Sequence, residues 1–64
     1  MVSRFIRKQL ISMKHTQVDL ADHLGVTKQT LHYKLSNDVW TVKELAIVAD
    51  FFGIKLYELI IESI

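Results

Sequence analysis

The 64-residue chain is predicted to be all-α, a compact five-helix bundle forming a single domain over residues 1–64. Three observations point there. The sequence has no proline and only two glycines, so it offers few of the turns that a sheet would need. Apolar residues make up half of it and recur at spacings of three and four, the period of a helix. Thr16, Thr27 and Thr41 each stand just before such a run, where a side-chain oxygen can accept from the free amides of a first helical turn. A chain this short is close to the lower size at which burial alone stabilises a fold, so its core must be economical.

The first helix is read in "VSRFIRKQLISMK", where Val2, Ile6, Leu10 and Met13 share one face and Arg7, Lys8 and Lys14 lie off it. A second starts after Thr16, with Asp19 placed to complete the cap and meet the helix dipole. Leu20, Ala21 and Leu24 point inward, and Gly25 ends it because only glycine takes left-handed backbone at no steric cost. Thr27 caps a third helix of about two turns, with Leu31 and Leu35 as its apolar pair. "SNDVW" then supplies turn formers, and Trp40 is expected to anchor that loop to the core. Thr41 and Glu44 form the capping box T-x-x-E of a fourth helix, whose stripe is Leu45, Val48, Ala49 and Phe52 and whose stop is Gly53. The fifth helix is read in "IKLYELIIESI" and lacks a good cap, since Lys55 occupies the capping position.

Composition narrows the function. Cysteine is absent, which removes disulfides and thiolate zinc sites and favours a reducing, cytoplasmic setting. No apolar run is long enough to span a bilayer, and the basic N-terminus lacks the apolar core of a signal peptide. The sequence holds no Ser/His/Asp set and no phosphate-cradling glycine loop, so an enzyme is not expected, nor is a cofactor or small-molecule ligand. Asp19 and Asp22 are explained by a helix N-terminus, and the spacing of His15, His23 and His32 puts no two of them cleanly on one face for a metal. The net charge of +1 hides an asymmetry. Residues 1–36 carry six basic side chains against two acids, and residues 37–64 carry two against five. Such a split predicts a basic face able to meet a polyanion and an acidic face turned from it.

In "TQVDLADHLGVTKQTLHYKL" two capped helical patterns meet at Gly25, and the small Ala21 lets the helices cross closely. That describes a helix-turn-helix. With Leu31 and Leu35 facing the core, Thr27, Lys28, Gln29, Thr30, His32, Tyr33 and Lys34 remain for solvent or a ligand. Lysine can reach guanine or a phosphate, glutamine can pair twice with adenine, and threonine offers a hydroxyl and a methyl.

Nearly the whole chain resembles the phage repressor and Cro type of helix-turn-helix regulators, the Xre family. The resemblance rests on "TQVDLADHLGV" against TQ-x-x-LA-x-x-LG-V/I, on "TKQTLHYKL", on "WTVKELAIVADFFGI" and on "LYEL", in that order. It implies a lambda-repressor-like fold with the third helix in the major groove, and a homodimer on two half-sites of an operator. By position it makes Lys28, Gln29 and Tyr33 the base-contacting residues. Gln17, Thr27 and Asn37 become backbone-contacting or supporting residues, and the polar and basic Thr30, His32, Lys34 and Arg7 are expected to join them on the ground of their own chemistry. The chain departs from the family pattern at three places. Lys14 and His15 replace a glycine and an apolar residue before the TQ pair, Lys34 replaces an apolar residue, and "SNDVW" lacks the usual loop glycine.

The expected function is sequence-specific binding of double-stranded DNA as a transcriptional regulator, a repressor of phage or prophage type. Phe51, Tyr57, Ile61 and Ile64 fall partly off the inward stripes and are the candidate dimer contact. The alternative is a protein-interaction module that binds another regulator through the same apolar C-terminal surface. An apolar ending at Ile64 also fits the N-terminal domain of a longer repressor.

Overall fold

Three threonines start three of the helices. Thr16, Thr27 and Thr41 have extended backbone, and each hydroxyl accepts the amide three residues on, at 3.1 Å in every case. At Thr16 and Thr41 the bond is returned, with Asp19 and Glu44 accepting from the threonine amide at 3.0 and 2.9 Å. The computed structural model describes residues 2–64, and these form α1 (Val2–Ser12), α2 (Gln17–Leu24), α3 (Lys28–Asn37), α4 (Val42–Phe52) and α5 (Leu56–Glu62). No strand occurs among the described residues. The predicted all-α class and the five helices hold.

Four of the five helix ends share one device. At the ends of α2 and α4, Gly25 and Gly53 take φ of 75° and 73°, and the amide of the next residue reaches back to the carbonyl five positions earlier. The ends of α1 and α3 do the same without glycine. Lys14 takes φ 59° and Asp38 φ 55°, with His15 bonded to Leu10 and Val39 to Lys34 in the same manner. Two sequence readings change as a result. Met13 is not a core residue, because the left-handed turn at Lys14 ends α1 at Ser12 and leaves Met13 exposed. The third helix is ten residues long rather than two turns, because Ser36 and Asn37 continue it and Asp38 is the residue that stops it.

One core joins the elements. Ile6 and Leu10 of α1, Leu20 and Ala21 of α2, Leu31 and Leu35 of α3, Val48, Ala49 and Phe52 of α4 and Leu59 of α5 are all buried. Trp40 packs against this cluster, as expected of a loop anchor. Helix α2 packs on α3 and α4, α4 on α5, and α1 on both α3 and α5. The radius of gyration, 10.4 Å, matches the value of about 10.7 Å expected for a folded domain of this length.

A polar knot fixes α1 against the end of α3. No acidic residue lies in the first turn of α1, so its amides lack a local acceptor. Asp38 supplies one from a distance: its Oδ1 accepts from the Ser3 amide at 2.8 Å. Ser3 is buried, and its hydroxyl accepts from Trp40 Nε1 at 2.9 Å and donates to the Lys34 carbonyl at 3.4 Å. The Ser3 side chain close by and the bond from the Ser3 amide hold the Asp38 carboxyl below its ordinary value of 3.8.

Candidate nucleic-acid interface

The α2–α3 pair is set by local chemistry at both of its joints. Gly25 turns the chain, Val26 tucks partly under the core, and Thr27 caps the next helix after a single intervening residue. The buried pair Leu31 and Leu35 then fixes which side of α3 faces inward. Lys28, Gln29, Thr30, His32, Tyr33, Ser36 and Asn37 are exposed on the rest of its surface.

These side chains differ in how engaged they are. Lys28 and Gln29, in the first turn of α3, make no hydrogen bond or ion pair among the described residues. Tyr33 is 59% exposed. Thr27 and Thr30 are tied to each other at 3.0 Å between hydroxyl oxygens, so Thr27 is first a cap. A His32 ring nitrogen lies 3.4 Å from the Ser36 hydroxyl. Asn37, in the stretch expected to form the turn, belongs to the last turn of α3, where its amide nitrogen donates to the Tyr33 carbonyl at 2.9 Å. Arg7 is exposed on α1, and Gln17 is half-buried at the start of α2.

Lys34 stands apart from the other candidates. Its Nζ lies 2.7 Å from Glu44 Oε2, with both side chains about four-fifths buried. Burial pushes the Glu44 carboxyl up, but the bonds from Lys34 and Thr41 outweigh it and hold the group below its ordinary value of 4.5. The ammonium thus ties α3 to α4 and is not presented beside Lys28 and Gln29 while this pair holds.

Phe51 also lies elsewhere than expected. Its ring is half-buried between His15 and His23, at centroid distances of 4.8 and 5.2 Å, and meets Phe52 edge-on at 5.6 Å. It fills the seam between α2 and α4 because both histidine rings cover the side that the helical pattern left outward. As a dimer contact Phe51 is therefore mostly spent. Tyr57, Ile61 and Ile64 do remain exposed, and Ile60 joins them. The two histidines thus meet at an aromatic ring, and the described residues contain no group of three or more metal-ligating side chains.

Two further features bear on ligands. A cleft of about 480 Å³ opens between Arg4, Phe5, Lys8 and Gln9 of α1 and the residues after Ile61, and it includes nothing from α3. Among the described residues no helix is long and apolar enough to cross a membrane.

Sequence reasoning missed Ser3 and Asp38 entirely. The available signal was the missing acceptor at the start of α1, which says that a partner is needed without saying where it lies. Comparison with protein families, with curated proteins and with solved structures finds no match for this chain.

Proposed function

We propose that this chain is a sequence-specific double-stranded DNA-binding domain of a transcriptional regulator, with α2 and α3 as a helix-turn-helix and α3 in the major groove. The observation that carries this reading is the state of Lys28 and Gln29. Both stand exposed and unengaged in the first turn of a capped helix, next to a tight turn from the helix before it. Long polar side chains with no structural duty at the leading end of such a helix match the chemistry of base edges. Tyr33 extends the same surface one turn on. Arg7 and the amides around Gln17 and Thr27 serve phosphates, which hold the domain in register without reading sequence.

The resemblance to phage repressor and Cro proteins supports a repressor role in the cytoplasm, with no catalytic step and no cofactor. It also supports a homodimer on two half-sites. Tyr57, Ile61 and Ile64, three exposed apolar residues at helical spacing along and just beyond α5, fit a two-fold contact. The same surface favours the second reading, in which the fold binds another regulator by its C-terminal face.

Selection of sites from a random duplex library, followed by titration of the best site and of random DNA at two salt concentrations, tests both. An enriched two-fold site identifies a DNA-reading dimer. On that site Gln29→Ala is expected to lose about 1–3 kcal/mol of discrimination at one or two base pairs. Arg7→Ala should weaken all duplexes alike and lessen the salt dependence. Equal losses on specific and random DNA for Gln29→Ala would defeat its assignment. Binding that tracks salt alone would favour the protein partner.

A further inference from the structure

The outer face of α3 is only as well placed as the helix that carries it, and the two ends of α3 are held very differently. Its first turn is held locally, by Thr27 and the turn at Gly25. Its last turn has a local left-handed cap at Asp38 and the Lys34–Glu44 pair to α4, and its tie to α1 is made by residues distant in sequence. Ser3 reaches the Lys34 carbonyl, Asp38 answers with its carboxylate on the Ser3 amide, and Trp40 closes the circuit on the Ser3 hydroxyl. Every polar atom of Ser3 used here spans more than thirty residues of sequence.

We propose that Ser3, with Trp40 behind it, is a positioning residue that sets the angle of α3 against α1, and through that angle the discrimination between DNA sequences. This rests on the DNA-binding reading given above. The physical ground is a difference in tolerance. A base contact needs its donor held within about half an ångström and some ten to twenty degrees, whereas attraction of lysine and arginine to phosphate survives much larger errors. A helix that has lost its tie to α1, though still held to α4, would keep its phosphate attraction and lose its reading. Ser3 is well chosen for the task. Its hydroxyl takes the indole N–H and gives its own hydrogen to a carbonyl at the end of α3, so one buried side chain links α1, α3 and the loop that follows. Removing the oxygen leaves a partly buried indole N–H without a partner, which the loop can satisfy only by moving.

The experiment compares Ser3→Ala and Trp40→Phe with the unaltered chain. Phenylalanine keeps an aromatic ring in the core and removes the donor. Val48→Ala serves as a control, because it opens the core on α4 and removes none of the knot's hydrogen-bonding atoms. Affinity is measured on the selected site and on random duplex, at a temperature where all four proteins are folded by circular dichroism. The specific-to-random ratio should fall about tenfold in Ser3→Ala and Trp40→Phe, the worth of one good base contact, with random binding changed less than about twofold. Val48→Ala should lower the melting temperature and leave the ratio alone. An unchanged ratio in both knot variants, or an equal fall in the core control, would overturn the assignment. Absence of any preference in the unaltered chain would instead remove the DNA-binding reading, and this inference with it.

Discussion

Lys14 and Asp38 hold the same left-handed backbone, at φ 59° and 55°, yet they stand there for different reasons. A non-glycine residue in this region pays about 1–2 kcal/mol through its Cβ, less for aspartate. Lys14 is exposed and its side chain makes no hydrogen bond or ion pair among the described residues, so nothing offsets that strain. Lys14→Gly is therefore expected to raise stability by about 0.5–1 kcal/mol, after about 0.4–1 kcal/mol is lost to the added freedom of glycine in the unfolded chain. Asp38 uses its side chain to cap α1, which has no acidic residue in its own first turn. Asp38→Gly relieves the backbone and removes the cap, with a net loss of about 1 kcal/mol. Thermal melts of the two variants check the contrast. Shifts of the same sign would show that the Ser3 bond contributes little.

Helix starts and helix ends were not equally legible. Three starts could be read from threonine, because a cap and the amide it serves lie three residues apart. The stops at Gly25 and Gly53 could be read too, because glycine advertises left-handed backbone. The ends of α1 and α3 were hidden, since lysine and aspartate meet the same demand without announcing it. For the candidate site, the outward face of α3 followed from subtracting Leu31 and Leu35. The diversion of Lys34 to Glu44 did not, nor did the enclosure of Phe51 by His15 and His23, because each depends on how a second helix is placed. Helix α5 carries a remaining local defect that the sequence did show. Glu58 accepts from the Lys55 amide at 3.1 Å, but the lysine ammonium has no lone pair to return the bond. Lys55→Ser completes the box and should add about 0.5–1 kcal/mol, seen as a higher melting temperature and slower amide exchange within α5. Unchanged exchange there would mean that packing around Leu59, not capping, limits this helix.

Across the whole molecule, three carboxylates close structure that the apolar core cannot. Asp19 completes the cap of α2, Glu44 completes that of α4 while pairing with Lys34, and Asp38 joins α3 to α1. All three are held below their ordinary values, 3.8 for the aspartates and 4.5 for the glutamate. For Asp19 the Thr16 amide is the largest cause, followed by the Thr16 hydroxyl. The folded chain thus binds protons on these groups less readily than the unfolded chain, and their contribution to stability is complete above the ordinary values. It begins to fade as pH falls through about 4.5, with Glu44 first, and goes on fading below 3.8 as the folded values are passed. Asp19 is exposed and weakly protected from solvent screening, so the loss should come mainly from Glu44 and Asp38. A chain of this size shifts its melting temperature by about 4–8 °C per kcal/mol, which makes even a modest loss readable. Melting temperature followed by circular dichroism should be level from pH 7 to 5 as far as these carboxylates decide it, then decline steadily toward pH 3. Asp38→Asn, whose side-chain oxygen can still accept from the Ser3 amide, should show a shallower decline with little change at pH 7. A curve that stays level to pH 3, or an Asp38→Asn curve as steep as the unaltered one, would mean that the core alone holds α1, α3 and α4 together.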